Sequence, residues 1–142
     1  MSAGRGLYTP EVLGMAMRLV DFPWAEALPL HGAARSRSCG STITIGLAVD
    51  DAGRITALGL KPHACAVGQA AAAIFLQAAQ GLGRDDVAQA RAQLSQWLTG
   101  ERTMPDWPGL ELLEAARGYP ARHGAILLAW DAALDALKVP VT

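Results

Sequence analysis

The sequence predicts an α+β fold: an N-terminal helix, a short antiparallel β-sheet and a C-terminal set of helices, in a single domain over residues 1–142. Three observations carry this expectation. The stretch "STITIGLAVD" (41–50) alternates apolar and polar residues, the period of a half-buried strand. From residue 66 onward the pattern changes to helical runs separated by glycine and proline stops. The chain has 142 residues, enough to bury one hydrophobic core without disulfides.

The elements follow in chain order. Thr9 before Pro10 and Glu11 is a helix start, with a capping hydroxyl ahead of proline at the first helical position. That helix carries Val12, Leu13, Met15, Met17, Leu19 and Val20 to about Asp21. The stretches from Pro23 to Pro29 and from Gly100 to Pro108 read as loops. In the first strand Ile43, Ile45, Leu47 and Val49 share a face; "DDAG" (50–53) is a turn; "RITALGLKPH" (54–63) returns as the second strand of a hairpin. Helices are expected over "AVGQAAAAIFLQAAQG" and "RDDVAQARAQLSQWLTG", ending at Gly81 and Gly100. A short one opens at Pro108. The last starts at Pro120 with Ile126, Leu127, Trp130, Leu134 and Leu137 on one stripe, and His123 on that stripe near its N-terminus.

Composition narrows the function. Hydrophobic content of 51% with 18% charged residues places the chain in the soluble globular class. A net charge of −1 gives no electrostatic footing for nucleic acid or an anionic membrane. The opening "MSAGRGLYTPEV" lacks the apolar core of a signal peptide, and no apolar run reaches the roughly 18–20 residues that span a bilayer. The expected compartment is the cytoplasm, where both cysteines stay reduced.

Those cysteines, Cys39 and Cys65, are the main chemical candidates. A turn centred near Asp51 and Ala52 makes paired residue numbers sum to 103 or 104, which sets Cys39 opposite Ala64 or Cys65. Cys65 also precedes a helix, where free N–H groups and the helix dipole favour a thiolate. His63 lies two residues earlier and, on an extended backbone, shares a face with Cys65. The plainer reading of each cysteine is a small packed hydrophobe, and of His123 a hydrogen-bonded, partly buried histidine. His31, in "LPLHGAAR", has no evident partner. The residues alone leave a metal site, a nucleophile and simple packing open. CxxC, Walker, GxGxxG, HExxH and GxSxG motifs are absent.

Three stretches together resemble the iron–sulfur cluster assembly scaffold family of the NifU N-terminal domain, IscU and SufU: "SCGSTITIGLAVDDAGRITAL", "LKPHACAVGQAAAA" and "YPARHGAILLAWDAAL". The resemblance runs from about Leu7 to Leu137 and implies a sheet of about three strands. It puts Cys39 and Cys65 on the first two family cysteines and His123 on the family histidine. Gly124 stands where the family has its third cysteine, Ser41 where it has an aspartate, and "GYPAR" where IscU-type members carry a proline-rich chaperone-docking motif. The resemblance implies a scaffold or sulfur acceptor, not a turnover enzyme. A cysteine desulfurase would supply the sulfur and apo-proteins would accept the product. A [2Fe–2S] cluster or iron would be bound through Cys39, Cys65 and His123, with His63 as a fourth donor. The same four side chains are a complete zinc set, so a zinc-binding sulfur relay of the SufU type is the alternative. A third reading is an interaction module that kept the fold and lost the chemistry, as Gly124 and Ser41 suggest.

Overall fold

The structure is a computed structural model and describes residues 7–37 and 40–138. Helix α1 spans Pro10–Met17; the Thr9 hydroxyl accepts from the Val12 amide at 3.1 Å, the cap expected from the sequence. The helix tightens to a 3₁₀ turn over Arg18–Asp21, so its end near Asp21 is where the sequence puts it. Three strands follow, β1 (Leu30–Arg35), β2 (Thr42–Val49) and β3 (Ile55–His63), in an antiparallel sheet ordered β1-β2-β3. Helices α2 (Ala66–Ala79), α3 (Arg84–Leu98) and α4 (Pro120–Leu137) complete the set. No helix among the described residues is long and apolar enough to cross a membrane.

Strand β1 supplies the third strand of the expected sheet, in a stretch, "LHGAAR", that the residue pattern does not mark as a strand. Gly32, Ala33 and Ala34 have little strand preference. The strand forms because its inner face receives α4. A Cβ on Gly32 would collide with the Ala132 carbonyl and the backbone of Ala136. His31 therefore lies in a strand, and it has a neighbour, with its ring centroid 4.9 Å from that of Trp24.

The hairpin register also differs from the expected sums. Val49 pairs with Ile55, but Ala48 pairs with Ala57, which leaves Thr56 as an extra residue in β3. Beyond this bulge the sum is 105: Leu47 faces Leu58 and Thr42 faces His63. The bulge sits where β3 meets the end of α2. The Ile55 amide donates to Leu82 O, the Gly81 amide to Ile55 O, and the Gln80 side chain to Thr56 O. The expected placement of Cys39 opposite Ala64 or Cys65 falls on a residue outside those described.

Ile43, Ile45 and Leu47 are fully buried on the inner face of the sheet, as their alternation predicts. On the outer face Gly46 and Gly59 pair across β2 and β3. There the absent side chains let the 22–28 segment lie flat, with the Leu60 amide donating to Phe22 O and Leu28 over Gly46. Helix α4 packs on β1, β2, α2 and α3. Ala125 through Trp130, with Ala132, Ala133 and Ala136, are all buried, so α4 is enclosed on most sides instead of presenting the single stripe expected. Phe75, Trp107 and Trp130 meet at centroid distances of 5.2–5.6 Å, and Trp107 donates to Ile74 O at 3.0 Å. The expected helix after Pro108 is a 3₁₀ segment, Leu110–Gly118, entered through Gly109 at φ 95°. A left-handed residue there breaks the α-helical path that the sequence pattern allows.

Candidate functional site

The joint between β3 and α2 sits against the β1–β2 loop. That loop closes through the Ser36 amide donating to Ser41 O at 2.8 Å and the Gly40 amide donating to Ser36 O at 3.0 Å, with Gly40 at φ 71°. Cys65 is the residue before α2, with extended backbone, and its carbonyl accepts from the Gln69 amide at 2.9 Å. Helix start and strand end therefore meet at the thiol, as the change from period 2 to helical spacing predicts.

Gly40, Ser41, Pro62, His63, Ala64, Cys65, Gln69 and Arg122 line an open cavity of about 600 Å³. Ser41 is 5% exposed, and its hydroxyl accepts weakly from the Cys65 amide at 3.4 Å. The position where the resemblance puts an aspartate thus touches the backbone of the second cysteine. Gln69, one turn into α2, donates to Ala64 O at 2.9 Å and braces the peptide just before the thiol. Arg122, near the start of α4, completes the lining of the cavity.

His63 and Cys65 line this one cavity, His63 exposed and Cys65 partly buried. Cys39 lies outside the described residues; Gly40, the next residue, lines the cavity. His123 is partly buried and is not among the lining residues; its Nε2 lies 2.9 Å from Arg117 O, a hydrogen bond to the end of the preceding 3₁₀ segment. Among the described residues, no three His, Cys, Asp or Glu side chains gather as a metal ion would need. The lining residues include one cysteine, one histidine and one arginine, with no Asp or Glu among the described ones. Thiol and imidazole are donors for soft and borderline metal ions, whereas hard cations prefer oxygen donors.

Gln69 and Arg122 were not singled out by sequence reasoning. Gln69 follows Cys65 by four residues, one helical turn, a signal that could have placed it at the joint. Arg122 offers no local signal, because only the docking of α4 on α2 and the sheet brings it to a cavity 57 positions away in sequence from Cys65, as 122 less 65.

No family model matches the chain, and no curated protein matches it either. Solved structures do. The N-terminal part of a nitrogen-fixing NifU-like protein from Brucella abortus superposes with a TM-score of 0.82 at 28% identity, over 95% of this chain and 94% of that one. A protein from Fervidobacterium islandicum, described as an iron–sulfur cluster assembly scaffold of the SUF system, gives 0.80 at 20% identity, over 93% and 97%. A hypothetical protein gives 0.67 at 16%, over 89% and 96%. The first likeness extends beyond architecture into sequence; the other two are likenesses of fold.

Proposed function

We propose that this chain is a divergent NifU/IscU/SufU-like protein, an iron–sulfur cluster assembly scaffold that takes the cluster as cargo. The observation that carries the proposal is Cys65, a thiol on an open cavity at a strand-to-helix joint, in a fold that matches a NifU-like protein along 95% of its length. Cys65 and Cys39 act as thiolate donors and sulfur acceptors. His63 is the nitrogen donor favoured by position, since it lines the same cavity as Cys65 while His123 bonds Arg117 O. Sulfur arrives from a cysteine desulfurase as a persulfide: the Cys65 thiolate attacks the outer sulfur, the desulfurase thiolate leaves, and two electrons from an external electron donor bring that sulfur to the sulfide level of a cluster. The open cavity gives a partner's persulfide access to the thiol. Cargo is passed to acceptor apo-proteins, and the expected site of action is the cytoplasm.

The carboxylate that the family pattern carries is Ser41 here, with its hydroxyl turned to the Cys65 amide. This chain's cargo is therefore held through sulfur and nitrogen. That donor set also supports a second reading, a zinc-binding sulfur relay of the SufU type, because thiolate and imidazole are ordinary zinc donors. Two of its four candidate donors, His63 and Cys65, line one cavity, which supports this reading as well.

Anaerobic reconstitution with iron and sulfide separates the readings. The scaffold reading expects iron and acid-labile sulfide bound together with visible charge-transfer absorption, lost in Cys39→Ser and in Cys65→Ser. The relay expects zinc near one per chain and no such absorption. If both serine variants reconstitute as well as the wild type, the assignment of these cysteines is wrong.

A further inference from the structure

We propose that the exposed face of α1 pairs two copies of this chain, helix against helix and antiparallel, about a two-fold axis near Gly14. Leu13 and Met17 of α1, with Val20 of the 3₁₀ turn that continues it, lie on this face, 44%, 73% and 80% exposed. Their spacing of four and three residues keeps them on one side of the helix, while Val12 and Ala16 turn inward. Of the five large apolar side chains exposed among the described residues, three are these, so the apolar surface is gathered and not scattered.

Gly14 sits between them in the middle of α1. A Cβ there would meet nothing within 4 Å, and its φ is not in the left-handed region. Neither packing within the chain nor backbone conformation requires glycine, yet glycine is disfavoured in a helix interior. A second helix crossing at that point does require it, because the missing side chain lets two backbones approach closely.

Charge chooses the partner and the orientation. Glu11 and Arg18 are exposed on one flank of the face, seven residues apart, and neither makes an ion pair among the described residues. An antiparallel pair centred beside Gly14 sets Glu11 of each copy against Arg18 of the other, and Met17 beside the other copy's Leu13. A parallel pair puts the two charged flanks on opposite sides of the seam, where Glu11 and Arg18 do not meet. The face is thus complementary to itself, which a two-fold interface demands. Its small size makes the association reversible.

Sedimentation velocity over a concentration series to roughly 1 mM tests this. The expected result is a reversible monomer–dimer equilibrium. Glu11→Arg or Arg18→Glu alone, each verified as folded by circular dichroism, weakens it about tenfold. The double variant Glu11→Arg/Arg18→Glu restores it, since the swapped charges meet again. Gly14→Ala raises the thermal midpoint of the monomer and weakens the dimer, a pairing of effects that misfolding does not produce. A wild-type chain that stays monomeric throughout overturns the proposal, including the case in which Met17→Lys instead abolishes binding to a desulfurase. So does a double charge swap that fails to restore association.

Discussion

The two histidines that the sequence offers as nitrogen donors, His123 on the family position and His63 as a fourth donor, have different surroundings. His63 lines the cavity with Cys65, whereas His123 spends Nε2 on Arg117 O. His63→Ala should lower iron retention after reconstitution several-fold with little change in stability, because the side chain is exposed. His123→Ala should do the reverse. It leaves a backbone carbonyl without its partner, at about 1 kcal/mol in urea unfolding, and spares iron retention. Asp135 makes a second prediction at this scale. Its carboxylate accepts from the Ala33 amide at 3.0 Å and from Lys138 at 3.2 Å, and the Ala33 hydrogen bond, first of these causes, holds its pKa below the ordinary value. A carboxylate lowered in the folded state adds stability above its unfolded pKa of about 4, and that stability is lost as pH falls through the folded value. Urea midpoints of wild type and Asp135→Asn should therefore differ at neutral pH and converge in acid. Cys65 was legible at this scale because two signals meet on it, the strand-to-helix change and the family motif. Arg122 was not, because nothing near it in sequence points to the cavity.

At the scale of elements, the local patterns that span eight or more residues were readable and the ones made by docking were not. β2 announced itself by alternation and α1 by its cap. β1 did not, since "LHGAAR" owes its strand state to partners on both sides: β2 along one edge and α4 across its inner face. Asp135 on α4 occupies an outward amide of this edge strand, which would otherwise be open to pairing with another chain. Gly32→Ala tests the arrangement. The added methyl group meets the backbone of α4 and not a flexible side chain, so overpacking should cost about 3 kcal/mol, measured by chemical denaturation. The register shift belongs to this scale too. One extra residue, Thr56, moves every pairing beyond it by one and sets His63 opposite Thr42. Turn chemistry at 50–53 reveals the hairpin but carries no trace of a bulge, which forms to meet the Gly81–Leu82 backbone at the end of α2.

For the whole molecule, the succession of helix, sheet and helices was evident before the structure, whereas the central position of α4 was not. Its sequence suggests a surface helix with one stripe, but its alanines are buried as well, because small side chains let α2, α3 and the sheet approach it together. That approach brings Arg122 to the cavity at Cys65. The site is therefore a property of the assembled fold, built from the β1–β2 loop, the end of β3, the start of α2 and the start of α4. A site of that kind, open and supplied with sulfur and nitrogen donors, suits cargo that must leave again. The most direct measurement is transfer. Protein reconstituted anaerobically with iron and sulfide is mixed with an apo-ferredoxin, and the acceptor's cluster signal is followed by visible circular dichroism. The account predicts that the signal appears in the acceptor faster than from free iron and sulfide at the same concentrations, and that Cys65→Ser abolishes this advantage. Transfer no faster than from the free ions, or equally fast from Cys65→Ser, would contradict it.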